Sequence, residues 1–323
     1  MRRSSRWMEA LALLVAGLLL SLVLDDAGAA TPEFPPEFRI GYQKFGTLIL
    51  LKARGDLEQR LTPQGVRVVW AEFPYGPPML EALNAGRLDF ATTGETPPVF
   101  AQAVPGSPLV YVGHEPPSPE SEAVIVPAHS PIRTLSDLKG KKIAVAKGSN
   151  AHYLLVAALQ KAGLSLQDVQ PVYLAPADAR AAFERGAVDA WSIWDFYRAA
   201  AELRLQARTL TDGRGLVANF ENYTSRRPFA ERYPALVKLV LEEIARVDAW
   251  AAQHPETAAA LLSKQVGVDA DILLPALKRR SYGAGPVSAE FLANQQKVAD
   301  TLAAIGLIPQ PVRVAEATLA RIP

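Results

Sequence analysis

Leu138-Lys139-Gly140-Lys141-Lys142-Ile143-Ala144-Val145-Ala146-Lys147-Gly148-Ser149-Asn150-Ala151-His152-Tyr153-Leu154-Leu155 reads as a strand running into a helix. Ile143 to Ala146 is short, apolar and bounded by polar residues, as a buried parallel strand would be. After Lys147-Gly148 the spacing changes. Leu154, Leu155, Ala158, Leu159 and Ala162 recur at helical intervals, and Gly163 supplies a stop. Ser149 is a good N-cap for that helix. The turn leaves the backbone N–H groups of Asn150, Ala151 and His152 at the positive end of a helix dipole, where an anion can sit. An ordinary capped turn carries the same residues, so the rest of the chain has to decide between the two.

Outward from this stretch the same grammar repeats. Upstream, strands are expected at Phe38–Tyr42, Val66–Trp70, Leu88–Ala91, Leu109–Gly113 and Ala123–Val126. Helices are expected over Leu48–Arg54, stopped by Gly55, and over Met79–Asn84, ending before Gly86. Thr96 is placed to cap a helix with Pro97 at its first position. Downstream come a strand at Pro171–Leu174, a helix at Ala177–Arg185, a strand at Val188–Ile193 and a return strand at Val217–Tyr223. From Phe229 onward the pattern is mostly helical, without further strand signal. Alternating strands and helices predict an α/β fold of mostly parallel sheets with helices on both faces. Such sheets bind ligands at the carboxyl ends of their strands. Three polar loops fall there, Gln43–Thr47, Gly94–Thr96 and Gly148–His152, and Trp194–Tyr197 adds aromatic surface. Two loops come from each half, so two separate lobes would turn all four toward one cleft.

The chain has 323 residues, 49% of them hydrophobic, enough for two domains with real cores. A formal net charge of +1 gives no reason to expect a nucleic-acid partner. Arg2, Arg3 and Arg6 precede an apolar run from Leu11 to Leu24, and Ala27-Gly28-Ala29 offers the small residues a signal peptidase reads. The run is shorter than the roughly 20 residues of a membrane span, and Asp25-Asp26 closes it. Residues 1–29 are therefore expected to be a cleaved signal, and the mature protein to be periplasmic. There is no cysteine, which excludes a disulfide and an anchor through a lipidated N-terminal cysteine.

The search for catalytic groups is nearly empty. No cysteine nucleophile, Gly-x-Ser-x-Gly elbow or phosphate-binding Gly-x-x-x-x-Gly-Lys-Ser/Thr loop occurs. His114, His129, His152 and His254 lie far apart without ligand spacing, so no zinc site is expected. Nothing pairs a nucleophile with a base. No catalytic residue, metal or cofactor is expected.

Gly41-Tyr42-Gln43-Lys44-Phe45-Gly46-Thr47, Thr93-Gly94-Glu95-Thr96-Pro97-Pro98, Asp137-Leu138-Lys139-Gly140-Lys141-Lys142, Gly148 to Leu155 and Ala177-Asp178-Ala179-Arg180-Ala181-Ala182-Phe183 resemble the aliphatic sulfonate-binding proteins of bacterial ABC importers. The likeness runs in the same order over nearly all of the mature chain. It implies a two-lobed periplasmic binding protein fold of the hinged, type II kind, with the ligand cleft between the lobes. Lobe one would be residues 38–125, lobe two 126–220, and residues 221–323 would return to lobe one and form the C-terminal helices. The crossings would fall near Val124–Pro127 and Asn219–Thr224. The function implied is capture of an aliphatic sulfonate by a monomer, for delivery to permease and ATPase subunits in the inner membrane. Binders of taurine, nitrate and thiamine-precursor pyrimidines share these motifs. A periplasmic enzyme acting on a small sulfonate or pyrimidine, and a sensor subunit, are the readings from other classes. In one place the chain departs from the pattern: the family often has proline after Trp-Asp, where this chain has Phe196.

A sulfonate is an ionised tetrahedral anion that needs hydrogen-bond donors. Gln43 offers amide donors, and the turns at Gly94–Thr96 and Gly148–His152 offer backbone N–H groups. The expected contacts are therefore Gln43, Thr47, Gly94, Glu95, Thr96, Gly148, Ser149, Asn150, His152, Trp194 and Asp195. Ser149 and Thr96 could equally serve only as caps. Glu95 repels an anion and so should face an organic amine, a hinge partner or solvent. Trp194 would cover an alkyl chain or pack as core, while Tyr42 and Phe45 are expected to pack. Neutral donors do not titrate, so affinity should be flat from about pH 6 to 9, with a neutral His152 at the helix end.

Overall fold

The structure is a computed structural model that describes residues 33–319; the expected signal segment lies outside the described residues. Ten strands form two five-stranded sheets. The first has the order β2-β1-β3-β10-β4, from β1 (Glu37–Tyr42), β2 (Arg67–Glu72), β3 (Phe90–Gly94), β4 (Leu109–His114) and β10 (Glu221–Arg226). The second has the order β7-β6-β8-β5-β9, from β5 (Glu122–Val126), β6 (Lys142–Val145), β7 (Gln170–Tyr173), β8 (Ala190–Trp194) and β9 (Arg208–Asp212).

Each sheet is mixed in the same way. β1 is parallel to β2 and β3, while β10 is antiparallel to both of its neighbours, β3 and β4. β6 is parallel to β7 and β8, while β5 is antiparallel to β8 and β9. In each sheet four strands thus share one direction and one is reversed. The reversed strand is the one by which the chain enters from the other sheet. The chain changes sheets across residues 115–121 and again across 213–220. The first change comes one strand earlier than expected, because Ala123-Val124-Ile125 pairs with Ile193-Ser192-Trp191 of the second sheet.

The core follows from the strand patterns. Phe38, Ile40, Phe90, Val110 and Tyr223 bury one face of the first sheet against Leu50 and Leu51 of the helix Thr47–Arg54 and Val240 and Ile244 of the helix Pro234–Gln253. A second apolar cluster runs continuously from Met79 and Tyr111 through Val124 to Val145 and Leu154, so both sheets share it. Gly55 ends its helix in the left-handed conformation at φ 70°, where a side chain would be strained.

Three local expectations shift. β9 carries no apolar alternation that would announce it; Arg208-Thr209-Leu210-Thr211-Asp212 is an edge strand, where burial on both faces is not required. The return strand begins at Glu221 rather than Val217, because residues 213–220 make the crossing. Thr96 does not cap its helix; it is the first helical residue, and its Oγ1 has no partner among the described residues.

Candidate functional site

One cavity of about 300 Å³ is lined from both sheets. Gln43, Lys44 and Phe45 follow β1, Gly94 ends β3, and Glu115 and Ser118 belong to the first crossing. Ser149 and Asn150 begin the helix Asn150–Lys161, and Trp194 ends β8. Asn219 and Glu221 lie at the second crossing and the start of β10, and Arg280 follows the helix Ala270–Lys278. The carboxyl ends of parallel strands and the starts of helices converge here, as open α/β sheets arrange them.

The turn after β6 forms as its sequence dictates, and most of its donors are consumed locally. Ser149 caps the helix, accepting from the His152 N–H at 3.3 Å while its hydroxyl donates to the Ala146 carbonyl at 2.7 Å. The Gly148 N–H donates to His152 Nδ1 at 3.2 Å. Asn150 and Ala151 keep backbone N–H groups that find no partner among the described residues. These two, not His152 or Gly148, are the donors the helix end offers. His152 is fully buried, edge-on to Tyr173, and absent from the cavity wall. Burial, with Lys147 adding repulsion, pushes its imidazole down to about 4, so it is neutral as expected.

The Asn150 side chain spans the two sheets. Its Oδ1 accepts from the Thr96 N–H at 3.3 Å, and its Nδ2 donates to Asn219 Oδ1. The amide sits against Gly94 so closely that a Cβ there would come within 1.7 Å of Asn150 Nδ2. This accounts for glycine at 94 in a strand, where its backbone has no other need of one. It also removes the Thr96 backbone N–H as a donor to a ligand.

Of the other expected contacts, Gln43 lines the cavity and donates to the Thr92 carbonyl at 3.3 Å, leaving its second amide hydrogen free. Trp194 is in the wall, edge-on to Tyr197. Asp195 is in the wall too, but Arg279 holds it bidentately at 2.8 and 2.9 Å, so the carboxylate is spent on an ion pair. Glu95 and Thr47 lie behind the wall. Glu95 accepts from the Phe220 N–H at 3.3 Å and from Asn294 at 2.8 Å, which makes it a partner of the second crossing rather than a ligand group. Burial raises its carboxyl above the ordinary range. Thus Gln43, Gly94, Ser149, Asn150, Trp194 and Asp195 meet at the cavity, while Thr47, Glu95, Thr96, Gly148 and His152 do not.

The largest omission is the charge. Arg280 lines the cavity with its side chain only 6% exposed. Its Nη2 pairs with Glu115, while Nε is buried without a partner and Nη1 makes no hydrogen bond among the described residues. Burial works against the guanidinium, but Glu115 and Glu221 outweigh it and hold the charge. Glu115 is itself saturated by Arg280, Thr47 and Tyr223. Arg280 lies far along the chain, in a stretch with no motif, and only its adjacency to Arg279 before Ser281-Tyr282-Gly283 marks it. Phe45 packs against the first core cluster, as expected, and also lines the cavity, with Phe196 at 6.3 Å between ring centres and Arg280 over its ring at 5.6 Å. Among the described residues no cluster of His, Asp or Glu is arranged to hold a metal ion.

The cavity therefore joins a partly unpaired guanidinium, the free backbone N–H of Asn150 and a wall of Phe45, Trp194, Phe196 and Tyr197. Chemically it suits an anion with a compact apolar body. The chain is similar to known proteins. Residues 64–258 match the family described as NMT1/THI5 like. The chain is 45% identical over 304 residues to an Escherichia coli (strain K12) protein named for aliphatic sulfonate binding, covering 94% of this chain and 93% of that one. A Bacillus subtilis (strain 168) protein of the same name is 34% identical over 82% of this chain and 80% of its own. Among solved structures, the alkanesulfonate-binding protein of Xanthomonas axonopodis pv. citri bound to MOPS superposes with a TM-score of 0.83 at 40% identity, covering 88% of this chain and 98% of that one.

Proposed function

The chain belongs to the NMT1/THI5-like family and, within it, to the aliphatic sulfonate-binding proteins, and from that premise and the cavity we propose that it captures an aliphatic sulfonate as the binding component of an ABC importer. The observation that carries the reading is Arg280, a buried cation with two nitrogens unpaired in a cavity also lined by Asn150, whose backbone N–H is free at a helix start. A sulfonate offers three oxygens that accept and none that donate. It sits between the Arg280 guanidinium and the Asn150 N–H, with Gln43 as a further donor. The organic tail lies against Phe45, Trp194, Phe196 and Tyr197. Each methylene buried there contributes about 0.8 kcal/mol, or roughly fourfold in affinity, until the cavity is filled.

Around this core stand the remaining parts of the reading. Residues 1–29 direct export and are removed, leaving a periplasmic monomer that hands its ligand to the permease and ATPase subunits. The two crossings, 115–121 and 213–220, serve as the hinge between lobes, and Asn150 latches the lobes through Thr96 and Asn219.

Calorimetry at pH 6 against ethanesulfonate, butanesulfonate, taurine, nitrate and a pyrimidine phosphate tests this. Heat with the alkanesulfonates, stronger for the longer chain, is the expected result. Binding of nitrate or the pyrimidine phosphate with no heat from any sulfonate overturns it.

A further inference from the structure

The wall that receives the anion carries an excess of carboxyl groups. In the cavity wall Lys44 pairs with Glu72, Asp195 with Arg279 and Glu115 with Arg280, which leaves Glu221 as a carboxyl without a cation of its own. A sulfonate placed beside an ionised Glu221 would meet repulsion in a poorly solvated site. We propose that Glu221 is a ligand-binding residue that carries a proton when the site is occupied, so that the protein takes up a proton as it binds its anion. This rests on the sulfonate reading of the same cavity.

The geometry selects Glu221. Glu115 is engaged as an acceptor on both oxygens, Oε2 from Arg280 and Oε1 from Thr47 and Tyr223. Glu221 Oε1 accepts from the Thr92 hydroxyl at 2.6 Å, while Oε2 makes no hydrogen bond among the described residues and belongs to a residue of the cavity wall. Register puts Glu221 opposite Gly94, and Gly94 touches Asn150, so the carboxyl stands beside the helix end that receives the sulfonate. A protonated Oε2 becomes a donor available to an acceptor-only ligand. An ionised one is a fixed negative charge beside it.

The surroundings already bias the group this way. Burial raises the Glu221 carboxyl to about 7, Arg280 opposing and Glu115 adding to the rise. Asp248, from the helix Pro234–Gln253, faces Glu115 and Arg280 from behind the wall, along with Tyr223 and Tyr282. Asp248 shares the Thr47 hydroxyl with Glu115, at 2.6 and 2.9 Å respectively. A hydroxyl has one hydrogen, so one of those carboxyls must supply a proton, and Asp248 is the one with Glu115 saturated elsewhere. Asp248 does not line the cavity, so its proton meets no ligand. The tyrosines are raised and stay neutral throughout the range of interest.

The sign follows. Below about 7 the free protein already holds the proton, and binding is independent of pH. Above it the proton must be taken up, and affinity falls toward tenfold per pH unit. From pH 6 to 8.5 the loss is about thirty-fold for one proton with a free value of about 7. This reverses the flat profile expected from neutral donors alone.

The test is calorimetry of ethanesulfonate binding in two buffers of different ionisation enthalpy, at pH 6 and 8. Uptake of about 0.1 proton per ligand at pH 6 and about 0.9 at pH 8 is expected. In Glu221→Gln, whose amide can donate but not titrate, the affinity slope above pH 7 disappears. Intact binding at pH 8 without proton uptake overturns the role of Glu221 and leaves the sulfonate reading standing. A slope that persists unchanged in folded Glu221→Gln also overturns it. Failure of any sulfonate to bind at pH 6 overturns both. If the variant does not fold, the proton count in the wild type decides alone.

Discussion

Replacing Gly94 by alanine should weaken ligand binding through one defined collision. The new Cβ would lie 1.7 Å from Asn150 Nδ2, 2.3 Å from its Cγ and 2.4 Å from its Oδ1. No packed pair of atoms tolerates such distances, so the Asn150 side chain must leave. It then gives up the hydrogen bonds to the Thr96 N–H and to Asn219 Oδ1, both of which tie the second sheet's helix to other parts of the cleft. At about 0.5–1.5 kcal/mol net for each bond, about 1–3 kcal/mol is lost, which corresponds to roughly five- to 150-fold in affinity. The backbone at 94 is not in the left-handed region, so alanine brings no conformational strain of its own. Asn150→Gly removes the obstructing side chain, and the two changes should therefore not add: the double variant should bind about as well as Asn150→Gly alone. Ethanesulfonate affinities of the wild type, both single variants and the double variant complete the cycle. Wild-type affinity in Gly94→Ala, or full additivity in the cycle, would refute the latch.

Arg280→Gln should lose at least tenfold in sulfonate affinity, read by calorimetry at pH 6. It should also lower the unfolding midpoint, because Glu115 is left buried without its cation, a penalty of about 3–5 kcal/mol. His152→Gln should leave the pH profile of binding as in the wild type, since the ring is neutral above its value of about 4 and lies outside the cavity; an altered slope in calorimetry from pH 6 to 9 would contradict this. Burial raises Asp248 from 3.8 to about 7, so between those values the native state holds a proton that the unfolded chain has released, and the group's contribution to stability falls as pH rises through that window. The amide introduced by Asp248→Asn would mimic the protonated carboxyl, accepting from the Gly283 and Ala284 N–H groups and donating to Thr47. In denaturant titrations this variant should accordingly gain on the wild type between pH 5 and pH 8.

What the sequence made legible was what local chemistry determines. The strand-turn-helix at Ile143–Lys161 follows from a four-residue apolar run, a glycine and a serine cap, and all of it forms. That Gly94, Ser149 and Asn150 would line the cavity was legible because each sits at the end of a strand or the start of a helix. Which N–H groups remain free was not, because His152 Nδ1 and the Ser149 side chain consume donors through contacts four and three residues apart that only the folded turn reveals. Asp195 looked available until Arg279, 84 residues away, claimed it. Arg280 and Glu221 escaped for a related reason. They enter the cavity by strand pairing and chain return over long separations, and no periodicity or spacing encodes that. The change of sheets at 115–121 was likewise hidden, since β5 has the same apolar pattern whichever sheet receives it.

A crystal structure with ethanesulfonate grown at pH 6 tests the sulfonate site most directly. The sulfonate oxygens should lie within hydrogen-bond distance of the Arg280 guanidinium and of the Asn150 N–H, with Glu221 beside them and the ethyl group toward Trp194. A sulfonate bound outside this cavity, or inside it with no oxygen reaching Arg280, would contradict the assignment.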